Sequence, residues 1–321
     1  MANEEHKELA LFIKEVHSSL RKSTLLHGAD KAWLEHSKKT YVLENYAHCM
    51  EKLATTYWEA NSAKSSSDAT SRIKWTADFC FEYFINNSYL KCREKDINIA
   101  TKVYINLDVE ENFVSPIKLI DVGSCYNPFR EFDYFKVLPI DLYPANDTVY
   151  QCDFLKVSLG SKIIFNGVEV EQLQECFFDV VAFCFLLEYI PDSKLRIQAC
   201  VKAYNLLKPG GLLIINTPDS KHVGANSKII KCWRYTLACI GFSRIKYEKF
   251  KHMHCMAFRK SLHRDIAVRW AKLHKEPFME YALNIPQDFY HNNDVENSIQ
   301  KETNVTYYEF EELPFYDCIE D

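Results

Sequence analysis

Residues 118–125 have the sequence KLIDVGSC, an apolar strand that runs directly into a glycine turn. A second apolar run, VLPID at 137–141, ends in Asp141, twenty residues after Asp121. In open α/β sheets, a glycine turn after the first strand lies beside a nucleotide-like ligand, and an acid at the end of the second strand binds its ribose. The stretch therefore predicts an α/β fold with an adenosine-type site at Gly123 and Asp141.

Bulk composition is that of an ordinary globular protein. The 321 residues are 47% hydrophobic and 26% charged, enough for one large domain or two modest ones. The net charge of −5 argues against a wholly basic nucleic-acid-binding protein. No run approaches the roughly 18 apolar residues of a membrane span, and the first residues lack a signal-peptide core. We expect a soluble cytoplasmic protein with no membrane span.

Cysteine spacing gives no indication of a metal centre. The chain has 12 cysteines, and no two of them form a Cys-x-x-Cys pair. In a cytoplasmic protein such residues are expected to be reduced thiols. We therefore predict neither a metal site nor a disulfide framework.

Helical periodicity dominates the first hundred residues. Apolar residues recur at steps of three and four in residues 5–22, and a longer helix is predicted from Asp30 to Tyr57. A third helix is predicted to begin at Asp68, after a polar break. We expect a helical domain at 1–98 that acts as a lid, followed by a linker at 99–116.

Short apolar runs alternate with helical segments from residue 117 onward, which predicts a Rossmann-like sheet with crossover helices over 117–290. Residues 154–176 are expected to be an irregular insertion, and Lys208–Gly211 a turn before a fifth strand. Residues 291–321 contain nine acids and one lysine and are predicted to form an acidic tail.

Three acids follow the first three predicted strands. Asp121, Asp141 and Asp153 would form a row of acceptors along the ligand-binding edge of the sheet. Asp141 can accept both ribose hydroxyls, and Asp153 with Phe154 can place an acceptor and a ring beside an adenine. A phosphate would need several glycines and a lysine, which residues 124–129 lack. The predicted ligand is an adenosine without phosphates.

Residues 117–260 resemble the class I S-adenosylmethionine-dependent methyltransferases, with Asp121–Ser124 at their first motif. The resemblance implies that Gly123 lies beside the methionine part of the ligand and that Asp141 binds the ribose. The second and third glycines of the motif are replaced by Cys125 and Asn127. The predicted S-adenosyl-L-methionine site comprises Asp121, Gly123, Ser124, Asp141, Leu142, Asp153, Phe154, Phe183 and Cys184.

Longer strings resemble a narrower family, the S-adenosylmethionine sensors that act upstream of mTOR complex 1, which are related to fungal ribosomal RNA adenine methyltransferases. The strings are DVGSCYNPF at 121–129, YQCDFL at 150–155 and FKHMHCMAFRK at 250–260. The resemblance implies a protein that binds the GATOR and KICSTOR complexes when ligand-free and inhibits mTOR complex 1. It also implies release on S-adenosylmethionine binding, and recruitment to the lysosomal surface through partners.

An active RNA adenine methyltransferase is the alternative function. Enzymes that methylate adenine N6 place an Asn/Asp-Pro-Pro-aromatic turn after the fourth strand, whereas this chain has FCFLLEY at 183–189, which is mostly apolar. No catalytic residue is assigned. Basic residues between Arg244 and Lys272, interleaved with aromatic ones, keep RNA as a second partner class. The same residues could instead form a solvated face, or a surface for an acidic partner or for the chain's own acidic tail.

Overall fold

A ten-stranded mixed sheet forms the centre of the part of the chain that the computed structural model describes, residues 4–58, 71–219, 226–250 and 253–289. The strands are β1 (Ile117–Val122), β2 (Phe135–Asp141), β3 (Tyr150–Gln151), β4 (Ser158–Gly160), β5 (Ile164–Asn166), β6 (Glu169–Gln174), β7 (Phe178–Cys184), β8 (Leu207–Pro218), β9 (Phe242–Phe250) and β10 (Met253–Lys260). Their order across the sheet is β4-β6-β3-β2-β1-β7-β8-β10-β9, and β5 pairs with β6.

Helices cover this sheet. They are α1 (Glu4–His27), α2 (Ala29–His36), α3 (Thr40–Lys52), α4 (Arg72–Cys80), α5 (Tyr89–Lys102), α6 (Ser193–Leu206), α7 (Ser227–Ile240) and α8 (Arg264–Leu273). Two π-helical turns, Leu53–Trp58 and Phe81–Ile85, continue α3 and α4, and a 3-10 turn at Pro128–Glu131 precedes β2. Among these elements, no helix combines the length and hydrophobicity needed to cross a membrane.

Strand direction confirms the predicted Rossmann-like α/β class. Strands β2, β1, β7 and β8 are mutually parallel, and β10 runs antiparallel between β8 and β9. Parallel strands are buried on both faces, and β7 is buried from Phe178 to Phe183. The side chains of β1 alternate accordingly, because Leu119 packs on one face of the sheet and Ile120 on the other.

The two faces of the sheet have different helical cover. One face packs against α6, α7 and the α2 residue Trp33, and the other packs against α4 and the π-turn after it. Helix α5 ends at Lys102, four residues beyond the end predicted for the helical region. In the predicted linker, Glu111 is buried and accepts a hydrogen bond of 2.6 Å from Nη1 of the buried Arg259.

The prediction of one continuous helix from Asp30 to Tyr57 is wrong, because the structure has two helices there. Helix α2 ends at His36 and α3 begins at Thr40, and Asp30 lies in the first turn of α2, whose N-cap is Gly28. The break turns the chain so that α2 and α3 can both face the edge of the sheet. Ser71 caps α4, because its side chain accepts the N–H of Lys74, while the predicted start at Asp68 lies outside the described residues.

Residues 154–176 are more regular than the sequence predicts, because β4, β5 and β6 extend the sheet beyond β3. The predicted turn at Lys208–Gly211 lies inside β8, which begins at Leu207. Strands β4 and β5 are short and half-exposed, so they lack the alternation of apolar and polar residues that would predict them. The predicted acidic tail at 291–321 lies outside the described part of the chain.

A buried arginine connects the loop after β7 to the segment after α8. Arg196 of α6 donates hydrogen bonds to the carbonyl oxygens of Leu187, Ile190 and Leu283, at 2.8 to 3.0 Å. Its guanidinium also donates two bonds, of 2.5 and 3.0 Å, to the carboxylate of Asp288. Such a bidentate pair fixes both orientation and distance.

Replacing Arg196 with methionine should destabilise the fold by about 3–5 kcal/mol, because a carboxylate and three carbonyls would lose their donor. Urea unfolding, followed by circular dichroism, measures this difference. Lys194→Met is the control, since Lys194 is exposed on the same helix. Equal midpoints for the two variants would show that the Arg196 network does not stabilise the fold.

Candidate functional site

A cavity of about 810 Å³ lies where β1, β2 and β7 end, beneath helices α2 and α3. This is the edge at which open α/β sheets bind ligands. The helices contribute Trp33, Leu43, Tyr46, Ala47 and Met50. The sheet and its loops contribute Val122, Gly123, Cys125, Ile140, Asp141, Leu142, Tyr143, Cys152, Phe154, Leu155, Cys184, Phe185, Leu186, Tyr189 and Ile190.

The loop after β1 has a left-handed backbone at alternate residues. Gly123 has φ of 74°, Cys125 of 61° and Asn127 of 58°. These are the three positions at which the methyltransferase motif has glycine. The chain thus retains the conformation of the loop where two of the glycines are absent, at a cost of roughly 1–2 kcal/mol for each replaced residue.

Asp141 provides a carboxylate to a largely apolar cavity. Its Oδ2 accepts the N–H of Cys125 at 2.9 Å, and its Oδ1 accepts the N–H of Tyr143 at 3.0 Å. Burial raises the pKa of Asp141 to about 6, although these backbone bonds act in the opposite direction. The site therefore has one charged acceptor that is held in place by the two loops beside it.

Asp153 faces helix α2. Its Oδ2 accepts the indole N–H of Trp33 at 2.9 Å, while its Oδ1 accepts the N–H of Leu155 at 3.0 Å. The neighbouring Phe154 lines the cavity and packs edge-on against Phe183, with ring centroids 5.7 Å apart. The acid at the end of the third strand thus links the sheet to the helices.

The structure brings together only part of the predicted site. Five of its nine residues line the cavity, namely Gly123, Asp141, Leu142, Phe154 and Cys184. The other four do not line it: Asp121, Ser124 and Phe183 are buried, and Asp153 is bonded to Trp33. Burial raises the pKa of Asp121 to about 7. Side chains alternate between the faces of a strand, which is why consecutive residues such as Phe183 and Cys184 differ.

Two tyrosines outside the predicted site form part of the cavity wall. Tyr46 of α3 and Tyr189 of the loop after β7 lie with ring centroids 5.0 Å apart. The Tyr46 hydroxyl is hydrogen-bonded to His17 at 2.8 Å, and the Tyr189 hydroxyl to His36 at 2.6 Å. Burial lowers the pKa of His17 to about 3 and of His36 to about 4, so both imidazoles are neutral at pH 7.

No sequence signal joins these four residues, because they come from three helices and a loop. His17, His36 and Tyr46 lie on helical faces where a buried aromatic residue ordinarily indicates a packed core. Their proximity follows from the way α1, α2 and α3 dock on the sheet. Only the hydroxyl and imidazole groups in an otherwise apolar setting could have suggested a polar wall.

A second cavity, of about 420 Å³, lies on the other side of the loop after β7. Glu188 lines it and is hydrogen-bonded to the hydroxyl of Thr217, and burial raises the pKa of Glu188 to about 7. Asp219 and His254 lie in the same wall, 2.9 Å apart. Among the described residues, no group of three or more acids, cysteines and histidines could hold a metal ion.

Comparison with known proteins is decisive for the family. Residues 95–280 match the family model described as 25S rRNA (adenine(2142)-N(1))-methyltransferase, Bmt2. A protein of Danio rerio named S-adenosylmethionine sensor upstream of mTORC1 is 35% identical over 316 residues, which cover 89% of this chain and 77% of the relative. The protein of that name in Xenopus tropicalis is 36% identical over 287 residues, covering 80% and 70%. The chain belongs to the Bmt2 family and to the family of these sensors.

Both resemblances found in the sequence are thereby confirmed at the level of the family. Among solved structures, the N-methyltransferase NodS of Bradyrhizobium japonicum, in complex with S-adenosyl-L-homocysteine, is 16% identical. The alignment covers 64% of this chain and 97% of NodS, with a TM-score of 0.31.

Gly123→Ala should destabilise the protein by more than the strain of a left-handed alanine alone, which is about 1–2 kcal/mol. A Cβ at Gly123 would lie 3.1 Å from Cδ1 of Leu186, in the cavity wall. Gly167→Ala is the matched control, because Gly167 has φ of 61° and open space around its Cβ position. Urea unfolding of both variants measures the difference, and equal losses would show that Leu186 accommodates the methyl group.

Proposed function

We propose that the protein binds S-adenosylmethionine in the 810 Å³ cavity and acts as a sensor whose partner binding depends on whether the ligand is present. The observation that carries the proposal is the half-buried carboxylate of Asp141, which lines a largely apolar cavity that is also lined by α2 and α3. An adenosine ribose would supply two hydroxyl donors to this acceptor. The names of the relatives support the choice of ligand.

Each part of the ligand has a place in this arrangement. We assign the ribose to Asp141, the adenine to the neighbourhood of Phe154 and Leu142, and the methionine part to Gly123 and Cys184. The residues behind the cavity, Asp121 and Ser124, then support the loop after β1 instead of contacting the ligand. When bound, S-adenosylmethionine supplies a sulfonium methyl group.

Ligand sensing requires an element with two arrangements, and we assign this role to α1, α2 and α3 within the helical region at 1–98, because α4 and the π-turn after it are packed into the core of the sheet. Polar contacts join these three helices to the sheet edge: Trp33 to Asp153, His36 to Tyr189, and Arg21, whose Nη2 donates to the carbonyl of Glu188 at 2.8 Å. A ligand in the cavity contacts both sides and favours the closed arrangement, while the partner favours the open one.

The expected partners are the GATOR and KICSTOR complexes, which the ligand-free form would bind to inhibit mTOR complex 1. Cytoplasmic location, with recruitment to the lysosomal surface by these partners, belongs to the same proposal. By linkage, a partner that the ligand displaces must weaken ligand binding by the same factor, typically 1–3 kcal/mol of coupling.

Methyl transfer to RNA is the second candidate function, and the second cavity favours it. Glu188 follows β7 and is buried with a raised pKa of about 7, so it could accept or donate a proton near neutral pH. The Bmt2 family model supports this alternative. Against it stands the apolar stretch 183–187, which offers no polar group to orient an acceptor nitrogen near the methyl group.

Asp141→Asn should weaken S-adenosylmethionine binding by about 1.5–3 kcal/mol at pH 7.5, because the ribose hydroxyls would lose a charged acceptor. Wild-type affinity should fall as the pH is lowered through about 6, where Asp141 becomes protonated, and the variant should lack this dependence. Calorimetric titration at pH 7.5 and 5.5 measures both effects. Asp147→Asn is the control, an exposed acid in the loop that follows. Identical titrations for the wild type and Asp141→Asn would place the ligand elsewhere.

A sensor should bind the methyl donor stoichiometrically without turnover. Incubation with a tritiated methyl donor and total RNA should leave the RNA unlabelled, while calorimetry in the presence of purified partner complex should show weaker ligand binding. Labelled RNA that disappears in a Glu188→Gln variant would favour the enzyme. Equal ligand affinity with and without the partner would exclude the coupling.

A further inference from the structure

Two half-buried arginines, Arg234 and Arg244, lie on α7 and β9, outside the loops that line the S-adenosylmethionine cavity. Arg234 of α7 has its guanidinium carbon 3.8 Å above the ring of Trp270 in α8. Arg244 of β9 lies 4.9 Å above the ring of Tyr247 in the same strand. Helix α7 packs on both α8 and β9, so the elements that carry the two arginines are in contact. Stacking on a ring fixes the plane of each guanidinium.

Among the described residues, neither arginine has a carboxylate within ion-pair distance, and three acids on or beside the same elements are paired with lysines. Glu276 is bonded to Lys231 at 2.9 Å, Glu248 to Lys246 at 2.8 Å and Asp219 to Lys249 at 2.6 Å. Burial lowers the pKa of Arg244 to about 10, and the positive charge of Arg234 contributes in the same direction. The two charges are therefore close enough to repel each other in a partly desolvated place.

We propose that Arg234 and Arg244 form a binding site for a phosphate monoester. An oxyanion between the two groups would remove their repulsion and accept charge-assisted hydrogen bonds from both. Two guanidinium charges match a group that carries close to two negative charges, which a phosphate monoester does at pH 7 and a single carboxylate does not. The site is separate from the S-adenosylmethionine cavity and does not depend on the function proposed for it.

The aromatic rings argue against a nucleic acid in this place. Single-stranded RNA is held by bases stacked on open aromatic faces. Here each ring already has a second stacked neighbour, His274 on Trp270 at 4.9 Å and His254 on Tyr247 at 5.7 Å. The rings orient the arginines and leave little surface for a base. A phosphodiester also carries only one charge per phosphate, which matches the pair less well than a monoester.

Calorimetric titration of the full-length chain tests the site, first with inorganic phosphate and then with a phosphoserine peptide, at constant ionic strength. Arg234→Gln and Arg244→Gln should each weaken binding by roughly tenfold or more, and Arg→Lys at either position should restore part of it. Arg269→Gln is the matched control, because Arg269 is exposed on the adjacent helix α8. Thermal unfolding in chloride checks that every variant is folded.

The two phosphate sources are distinguished in the same experiment. Tighter binding of the phosphopeptide than of phosphate and of its unphosphorylated form would identify a phosphorylated protein as the source. Equal binding of phosphate and phosphopeptide would identify a small phosphorylated metabolite. Equal phosphate affinity in the wild type and in both Gln variants would overturn the proposal. So would arginine-dependent binding of RNA that exceeds that of the monoester.

Discussion

The loop after β7 depends on one interaction, the bidentate pair between Arg196 and Asp288. Arg196 is completely buried, and its Nε–H donates to the carbonyls of both Leu187 and Ile190, at either end of the short loop that holds Tyr189. The loop separates the two cavities, so the position of Tyr189 in one and of Glu188 in the other follows from the same guanidinium. A buried guanidinium is stable only when carboxylate and carbonyl acceptors replace its lost water. The carbonyls of this loop must therefore stay within hydrogen-bond distance of Arg196.

The closure of the helices over the sheet has a different character. Its bonds join a guanidinium to a carbonyl, an indole to a carboxylate and an imidazole to a hydroxyl, and such bonds contribute about 0.5–3 kcal/mol net each. His17 and His36 are neutral at pH 7, and an ion pair between α2 and the loop after β3, Lys156 with Asp30 at 3.9 Å, is solvent-exposed and contributes little. A small number of such bonds is comparable with the free energy by which a ligand typically couples to a partner.

Much of the sheet could be predicted from the sequence because buried parallel strands appear as short apolar runs, and β1 and β2 lie where the apolar runs before Gly123 and Asp141 predict them. The strands of the insertion at 158–174 escaped prediction because they are short and half-exposed. In the site, Gly123 and Asp141 were predictable since strand ends and turns have local signals. Tyr46 and Tyr189 were not, because the contact between them depends on how separate helices dock.

Three cysteines in the cavity wall gain significance from this enclosure. Burial raises the pKa of Cys152 and Cys184 to about 12 and that of Cys125 well above its usual value. A protonated thiol is a poor nucleophile. A sulfonium methyl group is an alkylating agent, and a thiolate beside it would be methylated. By keeping its thiols protonated, the protein could hold such a reagent among cysteines without modifying itself, so chemical inertness is as much a property of this cavity as its shape.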